Sequence, residues 1–160
     1  MHVPISVAIR NRRQYDPTPM GPQAGNKSRL RDLLLASDVG DIDGALRFYA
    51  PDYIDHDTTE GRKSATGTSL EGLRDGFRLF GSAFSETRHT LHDAIEEGDR
   101  LAARISVEAR HTGELWGIPP SGRIVRNDSI VIYRFVDGRI GERWCRERRT
   151  TRSLVEPGQP

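Results

Sequence analysis

Two runs of alternating character dominate the second half of the chain, Leu101–His111 and Arg123–Phe135, where apolar and polar residues exchange places along most of their length. A period of two marks strands with one buried face. The two runs flank a Gly/Pro-rich crossing that carries Trp116, and Asp137-Gly138 then leads into a third run, Arg139–Glu147. Asp-Gly between alternating runs predicts a tight hairpin turn. Arg88–Glu97 reads as one more strand, with Gly98-Asp99 as its turn. This meander predicts a curved antiparallel sheet.

Upstream the period changes. Leu30, Leu33, Leu34 and Leu35 recur at helical spacing from about Lys27, and that segment stops at Ser37-Asp38-Val39-Gly40. Asp41 or Asp43 can cap a second short helix, with Ala45, Leu46, Phe48 and Tyr49 as its apolar stripe. Ala50-Pro51-Asp52 ends it, because proline disfavours helix in the residue before it. Tyr53–Asp57 reads as a short extended piece and Thr58–Gly67 as a polar loop. A third helix, roughly Ser69–Ser85, places Leu70, Leu73, Phe77, Phe80 and Phe84 on one face. Helices followed by consecutive antiparallel strands define an α+β fold. Three N-terminal helices over one face of the curved sheet make a cone, and alternate strand residues point into its opening.

The 160 residues suit one domain with room for a core and a cavity. Residues 1–26 read as a loosely attached arm in which Val3–Ile9 has the pattern of an added edge strand; 27–152 read as the domain and 153–160 as a flexible tail. A net charge of +1 gives no reason to expect nucleic acid, and the Arg-rich segment Arg143–Arg152 reads as a solvated strand end. No apolar run approaches the roughly 18 residues that span a bilayer, and the start lacks a signal-peptide core, so a cytoplasmic protein without membrane contact is expected. The single cysteine, Cys145, reads as a small apolar residue, and no Cys/His cluster has metal-ligand spacing.

Five pieces, in order, carry a resemblance. They are Tyr49–Asp57 (YAPDYIDHD), Glu97–Arg104 (EGDRLAAR), His111–Arg123 (HTGELWGIPPSGR), Ile132-Tyr133-Arg134 and Asp137–Ile140. From Lys27 to Glu147 the chain resembles the SnoaL-like polyketide cyclases of the nuclear transport factor 2-like superfamily. That resemblance implies a cofactor-free apolar cone, without metal or coenzyme, that closes a ring in a polyketide ester by an intramolecular aldol reaction, and a homodimer or higher homo-oligomer. The superfamily also includes hydroxylase-like and isomerase-like members. Fold alone therefore does not fix the reaction.

The chain departs from the family pattern at informative places. Cyclase-like members carry an inward Asp on the penultimate strand where this chain has Val131. With Val131 inward, alternation puts Ser129 and Asn127 on the same face and Asp128 on the other, unless a bulge reverses them. The epoxide-hydrolase pattern fails too: its inward Arg-x-Asp falls on Ile105 and Val107, and its second Asp on Arg146.

The catalytic candidates are His56, His111, Asp128 and Asn127. His56 lies inside the matched motif, and His111 continues the inward alternation of Ile105, Val107 and Ala109 to the cone mouth. An imidazole can take a proton from a carbon acid near neutral pH; the competing reading for each is a histidine that packs a loop. Asn127 or Asp128 is the candidate replacement for the missing carboxylate. Tyr53, Asp57, Trp116 and Trp144 are the candidate substrate contacts, with core packing or turn holding as the alternative. In the expected cycle His56 or His111 takes the proton, Asn127 binds the enolate, and Asp128 or the second His returns the proton. The alternatives are a cofactor-independent hydroxylase-like or isomerase-like enzyme on a related polyketide, and a non-catalytic small-molecule-binding module.

Overall fold

A computed structural model describes residues 25–56 and 69–147. The arm before residue 25, the segment 57–68 with Asp57 and the whole of the expected loop, and the tail after residue 147 lie outside the described residues.

The order is α1 (Asn26–Asp38), α2 (Ile42–Leu46), β1 (Tyr49–Asp55), α3 (Leu70–Ala83), β2 (Phe84–Glu97), β3 (Arg100–His111), β4 (Ile124–Val136) and β5 (Arg139–Glu147). The five strands form one open sheet in the order β1-β5-β4-β3-β2. The expected antiparallel meander accounts for β2 to β5. β1 corrects the expectation of a purely antiparallel sheet, since it pairs parallel to β5. As an edge strand it tolerates Pro51, which cannot donate to a ladder.

Local chemistry fixes the joints. Asp41 caps α2 by accepting the Gly44 N–H at 2.9 Å, and Ser69 accepts the Gly72 N–H at 3.3 Å at the start of α3. The second helix is shorter than its stripe suggests: Tyr49 belongs to β1. The third ends at Ala83, so Phe84, expected on its apolar face, opens β2 instead. The crossing after β3 closes that joint, because the N–H groups of Thr112 and Gly113 both donate to the Ala83 carbonyl at 2.9 Å. Such contact leaves no room for a side chain at Gly113, where a Cβ would stand 2.1 Å from the Ser82 carbonyl oxygen. Gly113→Ala is expected to cost about 3 kcal/mol, as overpacking against rigid backbone does; urea unfolding measures it.

The inner face of the sheet is filled at both ends and hollow between them. Leu101, Ala103 and Phe135 pack with Leu30, Leu33 and Ala36 of α1 in the main core. A smaller cluster of Ala83, Leu115 and Val125, with Phe80 and Phe84 against it, stands at the other end. Between them the strands carry Ile105, Val107, Ala109, Asn127, Ser129 and Val131 into open space.

Candidate active site

That space is a cavity of about 650 Å³, within the size range of small-molecule sites. α1 and α3 roof it with Leu33, Leu73 and Phe77, and its floor is the inner face of β3 and β4. Val131 points inward, so the position at which the resemblance implies an acidic residue carries an apolar side chain. The alternation argued from Val131 holds: Asn127 and Ser129 line the cavity. Asn127 Oδ1 is buried and has no hydrogen-bond partner among the described residues. An amide left unpaired in an apolar wall is costly unless something else bonds it.

Asp128 faces the other way. On the outer face of the sheet its carboxylate accepts from Ser106 Oγ at 2.6 Å and Arg126 Nε at 3.1 Å, and these bonds hold it below the usual carboxylate range. His56 and Trp144 are also outside the cavity. Their rings stack at 4.5 Å between centroids with 2° between planes, and the Arg100 guanidinium lies 5.4 Å from the Trp144 ring. His56 Nε2 stands 2.7 Å from Glu142 Oε2. Arg134 and then His56 hold the Glu142 carboxyl below its ordinary value.

Two structural causes turn these side chains out. Along β1, Tyr53 and Asp55 share the inner face, so Ile54 and His56 take the outer one. Along β5, Arg134 pairs with Glu142 while Phe135 pairs with Ile140, so Gly141 is an extra residue in the ladder. The resulting bulge reverses the facing of the residues beyond it: Ile140 is buried, yet Trp144 lies outside while Arg143 and Cys145 turn in. His56→Ala removes a side chain outside the cavity and is expected to leave turnover within about twofold, under about 0.5 kcal/mol in activation free energy; steady-state assay checks it.

His111 does follow the inward alternation but does not line the cavity. It is 0% exposed, with Phe84 tilted over it at 5.4 Å. Its Nδ1 accepts the Ser121 N–H at 3.2 Å, which puts the ring hydrogen on Nε2 in the neutral form. Nε2 is buried without a partner among the described residues. The ring packs the crossing rather than facing the cavity as a proton acceptor.

Trp116 sits on the cavity wall, 44% exposed and edge-on to Phe80 at 5.9 Å. Leu115 and Ile118 exchange both backbone hydrogen bonds, at 3.0 and 2.9 Å, around Trp116 and Gly117. Both central residues have positive φ, 51° and 79°, the conformation of a type I′ turn. A bulky residue held at positive φ is uncommon, and here it projects the indole from a two-residue tip anchored by the buried Leu115.

At the β1–β5 edge the cavity meets a polar group that the site expectations omitted. Arg143 Nη1 bonds Asp55 Oδ2 at 2.7 Å, with side chains 20% and 11% exposed. Tyr53, buried behind the cavity wall, donates its hydroxyl to the same Asp55 oxygen at 3.1 Å and packs edge-on against Tyr49. Burial pushes the Tyr133 phenol up to about 12, against a partial pull from Arg143. Tyr49 and Tyr53 are pushed well up, first by burial. Burial opposes the Arg143 charge, yet the charged groups around it more than offset burial and hold the guanidinium protonated. At neutral pH the phenols are neutral donors, so the Asp55 carboxylate is the counter-ion. Asp55 is also the one carboxylate on the cavity wall among the described residues.

No group of three or more His, Cys, Asp or Glu among the described residues stands close enough to hold a metal ion. No helix among them is long and apolar enough to cross a membrane.

An open α+β cone around an apolar cavity with a few convergent polar groups defines an enzyme-type scaffold for a small organic molecule. The comparisons sharpen this. The SnoaL-like polyketide cyclase model matches residues 28–147. The aklanonic acid methyl ester cyclase AcmA of Streptomyces galilaeus is 30% identical over 131 residues, covering 80% of this chain and 89% of that protein. Among solved structures, AclR of Streptomyces galilaeus, described as a candidate hydroxylase, superposes with a TM-score of 0.73 at 25% identity over 84% of each chain. IdmH of Streptomyces antibioticus, a candidate polyketide cyclase, superposes with a TM-score of 0.69 at 26% identity over 82% of this chain and 99% of that one. This chain belongs to the SnoaL-like polyketide cyclase family, and it is an enzyme of cyclase type.

Proposed function

We propose that the chain closes a ring in an aromatic polyketide methyl ester by an intramolecular aldol addition, inside the cavity between the helices and the sheet. The observation that carries this reading is Asn127 on the largely apolar cavity wall, its Oδ1 buried and without a partner among the described residues. The NH2 of the same amide is a donor, which a carbonyl oxygen needs as the enolate forms and it gains negative charge. A preorganised donor in a dry site stabilises that charge far better than water does. Turning the Asn127 amide presents its NH2 to the ligand.

The Arg143–Asp55 pair and its neutral phenols form a second polar station, suited to an oxygen-rich end of the same molecule. Trp116 supplies a flat apolar wall for a fused ring. Among the described residues, two cavity groups have the chemistry of a proton acceptor, Asp55 and His89. The AcmA cyclase acts, by its name, on aklanonic acid methyl ester, and that compound is the substrate with which to test this chain. The expected result is a product of unchanged mass with one ring more, without oxygen uptake. Oxygen consumption coupled to a mass gain would replace this reading with the hydroxylase-like one.

Self-association belongs to the same proposal. Ile130 and Ile132 are 60% and 39% exposed on the outer face of the sheet, next to Trp144, and would be covered by a second copy. Sedimentation equilibrium at micromolar protein tests this, and cell fractionation tests the cytoplasmic location that completes the reading.

A further inference from the structure

His89 stands on the inner face of β2 and lines the cavity, although it belongs to none of the motifs that carry the family resemblance. Its Nδ1 lies 2.7 Å from Asp38 Oδ1, and the same oxygen accepts the His89 backbone N–H at 2.9 Å. Both side chains are largely enclosed, 21% and 19% exposed. Asp38 is the last residue of α1, where the helix dipole disfavours a carboxylate. Its two bonds to one residue of an edge strand offset that cost and lock the ring to the helix end. A carboxylate only accepts, so Nδ1 carries the ring hydrogen. The lone pair of the neutral imidazole is then on Nε2, which has no partner among the described residues.

The register sets His89 opposite the amide already described. His89 pairs with Val107 on β3, and Val107 pairs with Asn127 on β4. The three form one cross-strand row, and all three line the cavity. Two strand spacings separate the backbones of His89 and Asn127 by about 10 Å. A flat ring lying over Val107 would therefore meet an imidazole at one edge and an amide at the other. Asp55, the other candidate acceptor, already bonds Arg143 and Tyr53.

We propose that the Asp38–His89 dyad is the general base of this cavity and takes the place of the carboxylate lost at Val131; this rests on the ring-closure reading above. His89 Nε2 removes a proton from the carbon beside a carbonyl, and the C–H electron pair becomes the enolate, whose oxygen Asn127 binds. The enolate carbon forms a C–C bond to a ketone carbon of the same molecule. The resulting alkoxide takes the proton back from Nε2–H. Nothing is oxidised, and the product is an isomer of the substrate. Asp38 acts through His89 and is a positioning residue.

The test uses His89→Asn, whose side-chain amide keeps a donor for Asp38 but has nothing in place of Nε2. Two rates are read on the full chain: cyclisation of aklanonic acid methyl ester, and hydrogen–deuterium exchange into 2-tetralone, a bicyclic ketone that exchanges without closing a ring. Loss of both rates by at least about a hundredfold is expected, with circular dichroism unchanged. Should that variant unfold, His89→Gln carries the same measurements. Asp38→Asn is expected to move the 15N signals of His89 from the Nδ1–H to a mixed tautomer while lowering kcat more than it raises KM. Both rates surviving in His89→Asn within about threefold would overturn the dyad and leave ring closure standing. Exchange by the native chain that vanishes in His89→Asn, with no cyclisation, would keep the dyad and overturn the ring-closure reading. Neither rate in the native chain would overturn both.

Discussion

Arg143→Met is expected to lower the stability of the protein by about 4 kcal/mol and to eliminate turnover. Removing one partner of an enclosed ion pair typically costs about 3–5 kcal/mol, because the other charge stays behind without compensation. Here the remaining charge would be Asp55, 11% exposed and deprived of the guanidinium 2.7 Å away. The loss should show as a fall in Tm of roughly 10 °C for a chain of this length. A double replacement separates the cause from mere loss of Arg143 packing. Adding Asp55→Asn removes the stranded charge, so the double variant is expected to be more stable than Arg143→Met alone. Turnover should stay lost in both, since the polar end of the cavity is gone. Equal stability of the single and double variants would show that the pair contributes through packing rather than charge.

This station is also where the sequence was hardest to read. β1 holds Asp55 and His56 side by side, and an extended chain can turn only one of them inward. An imidazole suits proton transfer, but the facing is decided by Tyr53, a large buried aromatic two residues before Asp55. Expecting both Tyr53 and His56 in the cavity was inconsistent with a period of two. For Trp144 no such signal existed. Counting by twos from the buried Ile140 puts Trp144 inside, and only the extra residue at Gly141 sends it out and brings Arg143 in. A bulge is a property of pairing between two strands, which one strand's sequence does not display.

The parts set by local patterning were legible. The hairpin at Asp137-Gly138 has both residues at positive φ, 49° and 75°, as a two-residue turn requires. The facing of Val131, Ser129 and Asn127 followed from uninterrupted alternation, because β3 and β4 pair without a register shift from Arg100 to Arg110. His89 is not legible in the sequence for the opposite reason. Its meaning depends on Asp38, 51 residues away, and no spacing rule connects a helix end to a strand residue.

Asn127→Leu is expected to lower kcat by about 10² to 10³, with KM changed by less than about threefold. Leucine matches asparagine in size and sits in a wall formed by Val107, Ser129 and Val131, so the cavity keeps its shape. The variant should also be no less stable than the native chain. Asn127 Oδ1 is already buried without a partner among the described residues, and replacing an unsatisfied group by an apolar one removes a desolvation cost instead of breaking a bond. Activity and stability are thus predicted to move apart, the pattern expected when a polar group is kept for a transition state rather than for the fold. The kinetic loss follows from removing one preorganised donor at the developing enolate oxygen, which typically costs a factor of this size. Urea unfolding together with steady-state kinetics on aklanonic acid methyl ester reads both quantities. A fall in stability with unchanged kcat would place Asn127 among the structural residues and remove the enolate-binding role.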